Sequence, residues 1–497
     1  MPALKGRAYA TQYEKMTEQP IPSLILELGL PTTISMLVTN LYNIVDTWFV
    51  GRIGTSASGA IGVVFGLMAI LQAVGFMFGM GSGSNISRLL GAHHIRRARQ
   101  FSATAFYAAL LSGTVVSIVG LSCLAPLCRL LGSTDTILPY ARTYATFILL
   151  AAPAMVTSCV MNNILRYEGH ASFAMVGLVS GGIINIFGDA LFMMGFGMGI
   201  AGAGFATMLS QYISAGILLS MFLRKKTQTN FSTRYLPFFT PPMVTALPDG
   251  DLPAAANDLD VNPGCSLFFS TLWSILLVGF PSLIRQGLGS ISTMVLNDRA
   301  GVYGDAAIAA MSIVARVCNF LFCVGLGIGQ GFQPVSGFNY GAKRYSRVKK
   351  GFFFTLGFGT ILLAFFSALG WIFAAPVASL LRNDPEVVTI AVPAMRAQCA
   401  ALLLMPLTLC GNMLFQSIGL SGRAALLSSL RSGACFIPLI LILAPLWGLP
   451  GVMYAQPLSD VLSALIAIPF LAHFFHHFPA DGAPETAEHR SIKEISA

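Results

Sequence analysis

Apolar residues along this chain come in long runs rather than alternating with polar ones. Twelve runs are candidates to cross a bilayer: 22–50, 56–86, 98–124, 136–163, 170–195, 200–223, 267–297, 303–334, 349–378, 385–417, 424–446 and 449–475. A helix needs about 20 such residues to span the ~30 Å hydrocarbon core. Several runs are longer, which predicts tilted or bent helices. The expected class is an all-α membrane protein with twelve transmembrane helices. The connection 224–266 is Pro-rich and turns from basic to acidic. It reads as a cytoplasmic linker between an N-terminal lobe (1–223) and a C-terminal lobe (267–475), with a polar cytoplasmic tail over 476–497. Residues 1–20 are polar and lack a signal-peptide core, so no cleavage is expected.

The two halves repeat in constant register. Pro31 aligns with Pro281, Gly51 with Gly301, Gly81 with Gly331, Gly91 with Gly341, Arg97 with Arg347 and Asn162 with Asn412. Each half holds an even number of spans, so both enter the membrane from the same side. That predicts two six-helix lobes related by a pseudo-twofold axis along the membrane normal, around a central cavity.

Composition narrows the class. The chain is 55% hydrophobic and only 10% charged, where a soluble domain carries about 25% charged residues. The net charge of +9 does not point to nucleic acid, because the cations sit in alternate connections. They cluster at Arg88, Arg96, Arg97 and Arg99, at Arg224 to Lys226, and at Lys343 to Lys350. This asymmetry places both termini and the basic loops in the cytoplasm. The nine cysteines have no metal-ligand spacing and read as small hydrophobes, although Cys123 and Cys128, near the outer face, could pair. No Ser/His/Asp set, HExxH or Walker A motif is present, so an enzyme is not expected. A monomer is expected, with membrane lipids as its surroundings.

Asp189 is the only charged residue between Glu168 and Arg224, and Asp46 the only one between Glu27 and Arg52. A carboxylate in hydrocarbon costs about 2.5–3.5 kcal/mol, so something must bind, pair with or protonate it. Tyr42 and Asp46 share a face of span 1, and Asn185 and Asp189 share a face of span 5. With Thr207 on span 6 they form an all-oxygen set that suits a hard cation. Two adjacent desolvated carboxylates can instead share a proton. Pro31 and Pro281 each remove a helix hydrogen bond and permit a bend. In the second half Leu296, Cys435 and Leu439 stand where Asp46, Asn185 and Asp189 stand in the first. Cations appear there instead (Arg285, Arg316, Arg396 and Arg431), and Asp460 is the single deep acid, expected to pair with one of them. Glu168 and Gly169 read as a turn with a capping acid.

These residues resemble the multidrug and toxic compound extrusion (MATE) family over residues 22 to about 475. The resemblance is carried by Pro31, DTWFVGRIG from Asp46, RYEG from Arg166, NIFGD from Asn185, AGAGFAT from Ala201, PSLIRQGLGS from Pro281, and Gln456 with Pro457. It implies export of cationic or amphipathic organic compounds by alternating access, driven by sodium or proton entry, with no other cofactor. It also implies a cation site at Asp46, Asn185, Asp189 and Thr207, and functional roles at Pro31, Tyr42, Tyr144 and Asn162. A different branch uses acids in spans 7 and 10. Span 7 here offers Gln286 and span 10 none at depth, which leaves Arg285, Gln286 and Asp460 as second-lobe candidates. A flippase for lipid-linked precursors shares the fold and is the alternative.

Overall fold

A computed structural model of the protein describes residues 11–51, 54–224, 227–236, 263–382, 384–479 and 481. Twelve helices among them are long and apolar enough to cross a membrane. In the first lobe they are α1 (Ile21–Gly51), α2 (Thr55–Gly91), α3 (Ile95–Ser122), α4 (Leu138–Tyr167), α5 (Ala171–Gly195) and α6 (Ile200–Leu223). The second lobe holds α7 (Pro263–Gly301), α8 (Asp305–Gly341), α9 (Tyr345–Ile372), α10 (Pro385–Ile418), α11 (Ser421–Trp447) and α12 (Leu449–His476). Short helices Gln12–Glu18, Leu124–Leu130 and Ala374–Leu381 lie outside the spans, and no strand occurs among the described residues. Most of the expected linker, and the tail apart from 476–479 and 481, fall outside the described residues.

The twelve apolar runs correspond to twelve helices, but several helix ends lie further out. Helices α2 and α8 each have 37 residues, about 55 Å at 1.5 Å per residue. The apolar runs stop near Ile86 and Pro334 because polarity rises there. The helices continue to Gly91 and Gly341 because these turns are buried between the lobes, where Ser82, Ser84, Ser87, Ser336 and Asn339 are all inaccessible. Hydrophobicity marks the lipid slab, not the helix end. Helix α3 presents Leu111, Val115, Ile118 and Val119 as one exposed apolar stripe, the face a spanning helix turns to lipid. Helices α1 and α7 run unbroken through Pro31 and Pro281.

The repeat is written into the contacts between lobes. A Cβ on Gly81 of α2 would strike the Ile275 carbonyl of α7, and one on Gly279 would strike the Met77 carbonyl. The matching crossing joins α8 to α1, where a Cβ on Gly331 would meet the backbone of Gly29. Gly91 and Gly341 face each other's chains in the same way, against the Phe338 and Arg88 carbonyls. Only glycine lets the helix backbones approach this closely.

The hydrogen bonds that join the lobes run from the end carrying the basic loops to Asn40. Arg88 Nη1 donates to the Ile418 carbonyl at 3.1 Å, and Ser274 Oγ to Asn85 Oδ1 at 3.4 Å. Arg166 donates to Gln330 Oε1. Asn319 Nδ2 donates to Asn40 Oδ1 at 3.3 Å. The helix Gln12–Glu18 lies across this basic face and touches both lobes. Gln12 Nε2 donates to the Glu168 carbonyl at 3.1 Å, and Tyr13 stacks on His93 with ring centres 4.0 Å apart. From the second lobe, Asn339, Arg344 and Arg347 donate to the carbonyls of Met16, Thr17 and Gln19.

Candidate functional site

Small residues bring the first-lobe site together. Gly182 of α5 lies where a Cβ would sit 3.3 Å from Tyr42 and Val38, so α5 packs tightly on α1. Gly188 similarly faces Ala206 at 3.0 Å, which draws in α6. Asp46, Asn185, Asp189 and Thr207 are all buried in the resulting space, with Asp189 fully inaccessible and Asp46 8% exposed. A π-helical turn, Ala190–Gly195, begins directly after Asp189. Such turns interrupt the regular ladder and recur at functional sites.

The hydrogen bonding here falls short mainly on the acceptor side. Tyr144 Oη donates to Asp46 Oδ2 at 3.2 Å, and Asn185 Nδ2 donates to Thr207 Oγ1 at 3.2 Å. Asp46 Oδ1, Asn185 Oδ1 and both carboxylate oxygens of Asp189 are buried without a partner. Asp46 and Asp189 lie within electrostatic reach of each other and of Tyr144. Four orphaned oxygens outnumber the donors left beside them, the second amide N–H of Asn185 and the Thr207 hydroxyl, and make an acceptor-rich site. Its donor set is that of a hard monovalent cation or of shared protons, and it holds no cluster of three His, Cys, Asp or Glu among the described residues. Thr207 enters as an acceptor from Asn185 rather than as a free oxygen.

The remaining positions separate. Tyr42, one turn before Asp46, is within electrostatic reach of it. Asn162 donates to the Ala174 carbonyl at 2.9 Å and ties α4 to α5. Pro31 lies on α1 near the crossing with α8. Glu168 does not cap its own turn, as the sequence suggested. Its carboxylate, fully buried, accepts from the backbone N–H groups of Gln228 at 2.9 Å and Thr229 at 3.1 Å, and from the Thr229 hydroxyl. Burial pushes this carboxyl above its ordinary range, against those three bonds, which pull it down. The acid thus anchors the strip that follows α6.

In the second lobe Asp460 is 3% exposed and saturated. Arg431 Nε donates to Oδ1 at 2.8 Å, Gln456 Nε2 to Oδ1 at 3.0 Å and Gln398 Nε2 to Oδ2 at 2.6 Å. The Arg431 guanidinium also lies 4.7 Å from the Phe322 ring centre. Arg396 stacks on Trp371, Arg316 is exposed, and Gln286 is half-buried on α7. Leu296 packs against the second lobe's apolar cluster, and Cys435 is buried in the larger one. Sequence reasoning did not find Arg166, Gln330 or Gln398. Arg166 stood inside a quoted motif, but nothing in its local pattern signals a partner on the other lobe.

Two six-helix lobes, built by duplication and holding a buried acceptor cluster in one of them, define a multi-pass membrane protein of the transporter type. A family model described as MatE matches residues 31–191 and 281–442, one segment in each lobe. The chain belongs to the MatE family. Multidrug export protein MepA of Staphylococcus saprophyticus is 24% identical over 447 residues, covering 89% of this chain and 92% of that protein. MepA of Staphylococcus aureus strain N315 is 25% identical over 456 residues, covering 91% and 93%. Among solved structures, MATE in complex with MaL6 superposes with a TM-score of 0.83 at 23% identity, covering 98% of this chain and 100% of that one. An outward-facing conformation of a multidrug resistance MATE family transporter gives 0.83 at 22% identity, again covering 98% and 100%. A MOP superfamily transporter from Pyrococcus furiosus, whose reverse polarity of the binding pocket suggests a different function, gives 0.82 at 23% identity, covering 94% and 98%.

Proposed function

We propose that this protein is a cation-coupled exporter of amphipathic or cationic organic compounds, with sodium or a proton bound in the first lobe. The observation that carries the reading is the set of four unpartnered, buried acceptor oxygens on Asp46, Asn185 and Asp189. Leaving them empty is costly, and a cation or proton satisfies them at once. Export of drugs is the named activity of the MepA relatives. The protein works as a monomer in the bacterial inner membrane, with the basic face and both termini cytoplasmic, and uses no nucleic acid and no cofactor beyond the coupling ion. With that orientation, the seam of hydrogen bonds at the basic end corresponds to a closed cytoplasmic gate. Cation binding from outside favours the conformation that releases substrate, and a bend of α1 at Pro31 is the natural place for the two states to differ.

The test is dye efflux from proteoliposomes with sodium and pH gradients imposed separately. The wild type responds to at least one gradient, and Asp189→Asn or Asp46→Asn removes the response while the protein stays folded. Wild-type coupling in both variants would sink the reading.

A further inference from the structure

The lobe interface holds a second polar site whose chemistry is the reverse of the first. Three arginines lie there, and none makes an ion pair among the described residues. Arg88 does not need one: its guanidinium donates to the Ser84 carbonyl, the Ile418 carbonyl and Asn85 Oδ1, all within 3.3 Å. This is how a purely structural arginine is satisfied here. Arg166 and Arg285 are not satisfied in this way. Arg166, 2% exposed, donates to Gln330 and to Asn163 Oδ1, but its Nε has no partner. Gln330, fully inaccessible, spends its oxygen on Arg166 and leaves its Nε2 donors unpartnered. Arg285 is half-buried, and its one hydrogen bond among the described residues reaches the Met80 thioether at 3.9 Å. Arg166 and Arg285 lie within electrostatic reach of each other and of Tyr167. Glu168, the nearest acid along the chain, turns its carboxylate away to Gln228 and Thr229.

Two like charges within electrostatic reach of each other, with orphaned donors and no counter-ion among the described residues, are unfavourable unless an acceptor-rich group completes them. A guanidinium pair suits a planar or tetrahedral oxyanion. We propose that Arg285, backed by Arg166 and Gln330, is a seat for the oxyanion group of an amphiphile: a carboxylate, sulfonate or phosphate. Arg285 is the accessible contact, and the Arg166–Gln330 pair supplies the buried donors behind it. That the amphiphile is also exported rests on the function proposed above; the seat itself does not. Such a protein accepts anionic or zwitterionic compounds as well as cationic ones, reading the two charges in different places.

The experiment measures binding, not export, so its failure leaves the export reading standing. Full-length protein in phosphatidylcholine nanodiscs is titrated with benzenesulfonate by calorimetry. Wild type binds saturably, Arg285→Gln weakens binding by on the order of tenfold, the size expected for losing one charged hydrogen bond, and Arg285→Lys retains most of it. Gln330→Glu places a carboxylate against the arginines and abolishes binding while both cations remain. In a second arm, phosphatidylglycerol is added and retained lipids are counted by native mass spectrometry. Retention that Arg285→Gln removes supports the seat with a lipid phosphate as its source. Unchanged benzenesulfonate affinity in Arg285→Gln or Gln330→Glu overturns the proposal. So does the absence of saturable binding of either probe to wild type.

Discussion

The two lobes share a scaffold but treat the acids buried within their membrane spans in opposite ways. In the first lobe, Asp46 receives one donor, Asp189 none, and four oxygens are left unpartnered. In the second, Asp460 receives three donors from Arg431, Gln456 and Gln398, and none of its oxygens is orphaned. Each acid lies close to a π-helical turn in the fifth helix of its lobe: Ala190–Gly195 follows Asp189, and Leu430–Ala434 contains Arg431. The lesson is that depth in the membrane does not make a carboxylate a binding site. Unmet hydrogen-bonding capacity does, because that is what a passing cation or proton can exploit.

The sharpest way to break this contrast is to neutralise one acid in each lobe. Asp189→Asn removes a charge that nothing pairs, so folded stability should hold or rise. Coupled efflux should fall on the order of 100-fold, the upper range of a typical coupling free energy. Asp460→Asn should do the reverse. It takes the counter-charge from Arg431, and breaking a fully buried pair from one side costs about 3–5 kcal/mol; with the Arg431 side chain 26% exposed, the loss should lie below that range. Thermal unfolding of the two purified variants, beside their gradient-driven dye efflux, reads both effects. Replacing Asp460 and Arg431 together with Leu and Met should recover most of the lost stability, since an apolar pair of similar volume is often close to neutral. If that double variant is stable but inactive, the second lobe's pair does more than hold helices together.

Much of the contrast was legible in the sequence, because lipid makes charge conspicuous. Asp46 and Asp189 stood out against apolar runs, and the repeat register located Leu296 and Leu439 opposite them. The arginine partner expected for Asp460 is Arg431. Its donors Gln398 and Gln456 were not legible as a set, since glutamines carry no charge and reach it from different helices. The interlobe seam was hidden for the same reason. Arg166 meets Gln330, 164 residues away, and no local periodicity encodes that distance. Helix ends were misread where the turns leave lipid but stay buried in protein, as at Ser87 and Asn339. Glu168 looked like a local cap because its true partners, Gln228 and Thr229, lie across a full pair of spans.

Tyr144 sharpens the comparison at the level of a single bond. Its hydroxyl is the one donor to Asp46 among the described residues. Tyr144→Phe leaves Asp46 as bare as Asp189. A hydrogen bond to a charged group is worth about 1.5–3 kcal/mol, so cation affinity should change by about tenfold or more. Sodium and pH dependence of efflux, measured in the same liposomes, would register it. An unaltered dependence would separate Tyr144 from the site.

The smallest expected effect concerns the place where both lobes meet one short helix. Gln12–Glu18 reaches the first lobe through Gln12 and the Tyr13–His93 stack, and the second through Tyr13 against Phe338 and through its C-terminal carbonyls. Arg344 Nη1 reaches the Thr17 carbonyl at 2.9 Å and Arg347 Nη2 the Gln19 carbonyl at 2.7 Å. Cations at a helix C-terminus complement its dipole, by about 0.3–1 kcal/mol each. If the proposed opening of the basic face parts the lobes under this helix, those bonds favour the closed arrangement by about that amount. Arg344→Ala should therefore shift the population modestly toward an open basic face. A cysteine placed at the inaccessible Ser87, in a variant stripped of native cysteines, reads the shift as a gain of about two- to fivefold in labelling rate, the population change that such an energy allows. Equal labelling with and without Arg344 would make the helix a passenger rather than a brace, and the asymmetry between lobes would then end at the membrane surface.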